Sequence, residues 1–227
     1  MFEELSHAHI PGLAVPSSGV GFRPHRLALY RSAKRAFDIV ATLSAAPVAV
    51  AMIGALALLI KLDGGPAFYA QPRLGKNGKP FKLWKLRTMV PNASRMLEAY
   101  LQQNPEARQE WNRTQKLRND PRITWIGRYL RKYSVDELPQ LWNVFLGQMS
   151  LVGPRPMLPE QWSQYPGNTY FEMRPGLTGL WQVSERNSCS FAERAMHDTR
   201  YSKLISFSTD LQIMVQTVVV VVRGTGL

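Results

Sequence analysis

The chain has 227 residues, with 28 Lys+Arg against 16 Asp+Glu, a formal net charge of +12 and a hydrophobic fraction of 45%. One cysteine, Cys189, allows no internal disulfide, and His7, His9, His25 and His197 hold no zinc-ligand spacing with it, so a disulfide-stapled fold and a structural zinc site are both disfavoured. Ordinary hydrophobic content with 19% charged residues fits neither a disordered chain nor a polytopic membrane protein, and the positive excess calls for an anionic partner: nucleic acid, phospholipid or a phosphorylated substrate.

In chain order, residues 1–30 read as a flexible arm, with Glu3 and Glu4 early and no basic start leading into an apolar run, so not as a signal peptide. Arg31, Lys34, Arg35 and Asp38 then precede residues 39–60, which carry no charge and as a helix would reach roughly 33 Å, enough to cross a hydrocarbon core. A buried core helix is the alternative, and the length favours the membrane. Pro47 lies inside the stretch and removes one helical hydrogen bond, which predicts a kink. Arg23, Arg26, Arg31, Lys34 and Arg35 lie before it, and Lys61, Arg73, Lys76, Lys79, Lys82, Lys85 and Arg87 follow. Basic residues within about 15–20 residues of a membrane helix stay cytoplasmic, and a bent helix that enters and leaves by one face satisfies both flanks. Residues 31–61 are therefore expected to form a re-entrant helix-break-helix.

Beyond Lys61 the pattern changes. Asp63-Gly64-Gly65-Pro66 is a turn, and residues 67–71 and 79–88 read as strands around the hairpin signal Gly75-Lys76-Asn77-Gly78. The Gly-Lys pairs lack the spacing and the Ser/Thr of a nucleoside-triphosphate loop. Residues 92–116 read as a helix broken near Asn104-Pro105, and Asn119-Asp120-Pro121 turns the chain into a basic segment with Arg128, Arg131 and Lys132.

Ser134-Val135-Asp136-Glu137 comes next, followed by Leu138, Leu141, Trp142, Phe145 and Leu146 at helical spacing and Gly147 as a stop. Ser134 with Glu137 has the form of a capping box, and two acids there stabilise a helix start through its macrodipole. The same physics serves function. Positive charge at a helix start, with Arg128, Arg131 and Lys132 nearby, favours an ionised Asp136 and collects phosphates. Of two adjacent carboxylates one can attack while the other holds a divalent metal.

Arg155 lies between Pro154 and Pro156, and Arg174 precedes Pro175-Gly176 in a second stiff loop. A preorganised arginine fork matches a phosphate in bidentate fashion, although either loop alone reads equally as a structural turn. Gln182, Arg186 and Asn187 form a polar loop that suits a sugar or base, or plain solvent. Asp198 and Arg200 suggest an ion pair anchoring a helix, and residues 211–222 are apolar but short, a buried strand or an interfacial helix.

Five motifs together resemble one family. They are Lys34-Arg35-Ala36-Phe37-Asp38, Trp84-Lys85-Leu86-Arg87-Thr88-Met89, Ser134-Val135-Asp136-Glu137-Leu138-Pro139-Gln140-Leu141, Met149-Ser150-Leu151-Val152-Gly153-Pro154-Arg155-Pro156, and Arg174-Pro175-Gly176-Leu177-Thr178-Gly179-Leu180-Trp181-Gln182-Val183. From about Arg31 onward the chain is similar to the bacterial sugar transferases, monotopic polyprenol-phosphate phosphoglycosyl transferases, and within them to the exopolysaccharide priming hexose-1-phosphate transferases. The resemblance implies an α+β, mostly helical fold: a re-entrant membrane helix and a small cytosolic catalytic domain over residues 62–227, with a β-hairpin and interfacial amphipathic helices. It places that domain at the cytoplasmic face of a bacterial inner membrane, in the minimal catalytic form that lacks the multispanning N-terminal domain of some relatives.

By the same resemblance Asp136 takes a sugar-1-phosphate from a nucleotide diphosphate sugar, a UDP-hexose, and releases UMP. Undecaprenyl phosphate then takes the phosphosugar from Asp136. Glu137 would bind Mg²⁺, Arg155 would hold phosphate, and Lys85, Arg87, Arg128, Arg174, Gln182, Arg186 and Asn187 complete the expected substrate-binding set. Anionic membrane lipid is an expected partner, nucleic acid is not, and a homodimer is admitted. Two departures stand out: Pro47 follows Ala46 about one turn earlier than the usual helix-breaking proline, and Glu185 stands where relatives often have Gly. A membrane-tethered basic scaffold without enzymatic activity is the competing expectation; it would need neither the paired acids nor the proline-flanked arginines.

Overall fold

The computed structural model describes residues 24–114, 117–184 and 191–224. Glu185, Arg186, Asn187 and the N-terminal arm up to Arg23 lie outside the described residues.

A single helix, α1 (Pro24–Lys61), has 38 residues and is about 57 Å long at the standard rise. The break expected at Pro47 is not an interruption, for the helix runs straight through that residue. Proline removes one N–H from the ladder, and the loss of that one bond does not end the helix. Within α1, Tyr30–Lys61 is long and apolar enough to cross a membrane, and only 11% of its most apolar window is buried. A core helix would bury those side chains, whereas Val48, Val50 and Leu58 are at least two-thirds exposed. Such a surface is stable against lipid, which makes the chain a membrane-associated protein.

The rest is a mostly helical α+β unit. β1 (Phe68–Leu74) and β2 (Pro80–Leu86) form the expected antiparallel hairpin, in register from Phe68 opposite Leu86 to Leu74 opposite Pro80. Asn77 and Gly78 turn it with φ of 58° and 71°, the left-handed region that these two residue types tolerate best. Phe81, Leu83 and Leu86 of β2 point into the core while Lys82 and Trp84 point out. α2 (Ala93–Gln103) and α3 (Pro105–Thr114) are separated at Asn104, where proline forbids a continuous helix.

α4 (Trp125–Lys132) starts on Thr124, whose Oγ1 accepts from Gly127 N at 3.0 Å. After it the capping box does not form. Ser134 is left-handed with φ 53° and does not cap with its side chain, and Val135–Glu137 closes as a 3₁₀ turn. Pro139 has no N–H for an α-helical bond back to Val135, so α5 (Gln140–Phe145) begins only after it. β3 (Ser150–Val152) and β4 (Gly176–Thr178) pair in parallel, Ser150 with Gly176 and Val152 with Thr178. α6 (Leu180–Ser184), α7 (Phe191–Leu204) and α8 (Phe207–Arg223) complete the described chain, so the apolar run 211–222 is helical and not a strand.

The Lys-Arg motif fastens α1 to this unit. Arg35 donates from Nη1 to Val144 O at 2.6 Å and from Nη2 to Phe145 O at 2.8 Å, satisfying carbonyls at the end of α5. Asp38 Oδ1 accepts from Leu151 N at 3.1 Å, tying the same helix to β3. Asp210 of α8 accepts from Tyr30 Oη at 2.7 Å, from Lys34 and from Tyr201 Oη at 2.6 Å. Below these ties, Phe81, Leu83, Val144 and Met149 form one buried cluster joining hairpin and α5.

Candidate active site

Asp136 is buried in the 3₁₀ turn between α4 and α5, and β2 brings a cation to it. Lys85 Nζ lies 2.7 Å from Glu137 Oε1 and 3.8 Å from Asp136 Oδ2. The register that sets this meeting is held by Asn143, which is fully buried in α5. Its Oδ1 accepts from Trp84 N at 3.2 Å, and its Nδ2 donates to Lys82 O at 2.7 Å and to Gln148 Oε1 at 2.6 Å. Asn143 therefore pins α5 to β2 one residue before Lys85. Sequence reasoning missed it, although a lone amide between Trp142 and Val144 in an apolar run is the signal of a buried polar tie.

Burial raises the Asp136 carboxyl above the ordinary carboxylate range; Lys85 works against it, Glu137 adds to it by like charge, and Arg131 pulls it back. The sequence expectation that nearby cations simply favour the ionised form is thus corrected, because desolvation outweighs them. Arg131 is held for this by its own bond, Nε donating to Thr88 Oγ1 at 2.9 Å. It was legible only as one member of a basic run.

The expected phosphate ligands divide. Arg128 is exposed on α4. Arg87 is buried away from the acids, donating from Nη2 to Ile60 O at 3.1 Å and pairing with Asp63 at the end of α1. Arg174 Nε donates to Gly147 O at 2.8 Å, closing the loop after α5. Arg155 instead lies over the Trp181 ring at 5.6 Å, and Arg194 stacks on the same ring at 4.4 Å. These two arginines line a small cavity with Gln161, Tyr165 and Asp198. Arg73, read from sequence only as a flanking charge, is held beside the loop of Arg155. Burial first and the like charge of Arg155 second bring its guanidinium down to about 10, against Tyr170 and Glu137, which raise it. Its Nη1 donates to Pro156 O at 3.1 Å, which fixes the loop that carries Arg155.

Gln182 is buried, and neither atom of its amide has a hydrogen-bond partner among the described residues. A Cβ on Gly179 would lie 2.1 Å from Gly153 O and 2.9 Å from Gln182 Oε1, so only glycine lets the two loops meet there. Asp198 does not use the expected partner Arg200. Residues two apart on a helix do not face each other, and Asp198 Oδ2 accepts from Tyr165 Oη at 3.0 Å instead.

For a divalent cation, the described residues hold no cluster of three or more His, Cys, Asp or Glu. Asp136 and Glu137 are two adjacent carboxylates, the donor set that suits a magnesium ion completed by water and substrate phosphate.

Residues 29–224 match the family model described as bacterial sugar transferase. The chain belongs to this family. It is 45% identical over 198 residues to a UDP-galactose-lipid carrier transferase of Erwinia amylovora, covering 86% of this chain and 42% of that protein. It is 45% identical over 201 residues to the exopolysaccharide production protein ExoY of Rhizobium meliloti, covering 86% and 87%. With the undecaprenyl-phosphate galactose phosphotransferase of Salmonella typhimurium it shares 43% identity over 198 residues, 86% of this chain and 42% of the relative. The chain thus spans less than half of two of these relatives and most of the third.

Proposed function

We propose that the protein is a phosphoglycosyl transferase that moves a hexose-1-phosphate from a UDP-hexose to undecaprenyl phosphate, the first step of an exopolysaccharide. The observation that carries this reading is buried Asp136 beside half-buried Glu137, the two bridged by Lys85. A plain basic surface has no use for it. The names of the relatives supply the substrate class.

In the first half-reaction the Asp136 carboxylate attacks the β-phosphorus of the donor, and the bond from that phosphorus to the bridging oxygen breaks. UMP leaves with the electron pair, and an aspartyl phosphosugar remains. In the second, an oxygen of undecaprenyl phosphate attacks the same phosphorus, the Asp136–phosphate bond breaks, and the carboxylate is regenerated. Glu137, with Asp136 beside it, would hold Mg²⁺, which when bound neutralises diphosphate charge. Lys85 opposes the rise that burial imposes on Asp136, and Arg73 and Arg155 supply positive charge for the phosphates. Arg174 acts through the loop after α5.

Basic flanks on both sides of α1 favour a re-entrant arrangement at the cytoplasmic face. Single cysteines placed near Arg26 and near Lys76, with Cys189 replaced, should both be shielded from an impermeant reagent outside intact cells; labelling at only one would establish a crossing. For the chemistry, protein incubated with Mg²⁺ and a panel of UDP-sugars without acceptor should release about one UMP per active site and carry a phosphosugar on Asp136 by mass spectrometry. Salt-sensitive polyanion binding with no such release would leave the scaffold reading in its place.

A further inference from the structure

We infer that Arg31, Arg35, Lys76 and Arg174 form an anion site where the N-terminal part of α1 meets the hairpin turn, and that it takes a phosphate group, carried by a lipid headgroup or dissolved. Arg31 and Arg35 lie one turn apart on one face of α1, where like charges repel. Arg35 donates from Nη1 and Nη2 to Val144 O and Phe145 O. Arg174 Nε donates to Gly147 O at 2.8 Å, and a Cβ on Gly147 would lie 3.3 Å from Arg35 Nη2, so the two guanidinium groups flank that one residue. Lys76, half-buried in the turn between β1 and β2, completes the group. Burial first, and then the like charges of Arg31 and Arg174, pull its ammonium below the ordinary value.

No acid answers these charges. Among the described residues none of the four is in an ion pair. Lys34, on the same helix, has Asp210, and Asp38 gives its Oδ1 to Leu151 N. Capping the end of α5 accounts for Arg35 and for one N–H of Arg174. It leaves Arg31, Lys76 and the Nη atoms of Arg174, which make no hydrogen bond among the described residues, without a role. Folding thus collects cations from α1, the hairpin turn and the loop before β4, which costs free energy unless an anion joins them. Arginine forks with a lysine beside them match the oxygens of a phosphate. The site is separate from the acids: Lys76 lies beyond the far end of β2 from Lys85, and Pro80 to Lys85 alone covers about 17 Å. Arg31 is exposed and stands about 12 Å before the uncharged stretch that begins at Ile39, within reach of a headgroup and open to a dissolved ion.

The test is the melting midpoint of the full chain at low salt, in neutral detergent with inorganic phosphate and in phosphatidylcholine vesicles with or without phosphatidylglycerol. Phosphate at tenfold its dissociation constant should raise the midpoint by roughly 3–6 °C. A rise with phosphate assigns a dissolved anion, and a rise with phosphatidylglycerol alone assigns the headgroup. Lys76→Met should weaken binding of the stabilising probe about tenfold. With no anion present the same variant should melt no lower than wild type, because the cluster repels itself less. Lys79→Met removes the same charge from an exposed neighbour in the turn and should keep the wild-type response. Should Lys76→Met fail to fold, Arg31→Met, at an exposed member of the cluster, takes its place. No rise with either probe, or a rise that Lys76→Met and Lys79→Met both keep or lose equally, overturns the site.

Discussion

Two buried carboxyl groups, one in the turn before α5 and one in α7, meet the same problem and resolve it differently. Asp136 and Asp198 are both pushed up by burial. Asp136 is offered full positive charge by Lys85 and Arg131 and has Glu137 as an acidic neighbour. Asp198 takes its main compensation from the Tyr165 hydroxyl, with Arg194 secondary, and stands at about 7. A neutral donor packed in an aromatic cluster with Tyr170 and Phe171 steadies a carboxyl that is half-protonated near neutrality. A lysine that can also meet an incoming phosphate equips one to attack. What separates a structural acid from a reactive one here is the charge and reach of its partners, since both are equally out of water.

The contrast breaks most completely at Asp136→Asn, which should lower turnover on the order of 10⁴-fold, as removal of a nucleophile does. The same variant should melt no lower than wild type: a carboxyl raised on folding destabilises the fold once it ionises, and Asn removes that burden. Lys85→Met should lower kcat about 100-fold and move the acid limb of the pH–rate profile upward, because the group that opposes burial is gone. Asn143→Ala leaves Trp84 N–H and Lys82 C=O without their partner, and should cost about 2 kcal/mol in denaturant unfolding. Its acid limb should move less than that of Lys85→Met, which distinguishes a positioning residue from the charge itself. The other acid is read through the pH dependence of stability. Asp198 folded holds its proton to about 7 while unfolded it releases it near the ordinary value, so its contribution to stability is full at low pH and is lost as pH rises to 7. Asp198→Asn should flatten that decline, whose slope is at most about 1.4 kcal/mol per pH unit.

Local signals read well where the chemistry is local. Asn77-Gly78 makes its hairpin, Pro105 splits α2 from α3, and the uncharged stretch up to Ile60 is an exposed helix. The two proline-flanked arginines looked alike in sequence and diverge in space. Arg174 finds the Gly147 carbonyl, while Arg155 finds an indole ring. Nothing within either motif distinguishes these outcomes, because each depends on what another segment presents. The same holds for Asn143, which bonds to backbone about sixty residues away, and for Arg73, which bonds to the loop beyond Pro154. The capping box misled for the opposite reason: its two residues were present, but Pro139 and the left-handed Ser134 deny them an α-helix to cap.

The carboxylate of Asp210 has a bearing on how the protein is made. It serves Tyr30 and Lys34, which lie 180 and 176 residues earlier in the chain. At ribosomal speeds of roughly 5–20 residues per second, Lys34 has been made for about 9–35 s before that partner exists. During synthesis Lys34 must stay in the headgroup water, a cation awaiting its acid. α8, made after α1, is then the clasp that draws it into place, so nascent chains halted before Asp210 should carry an anchor without this lock.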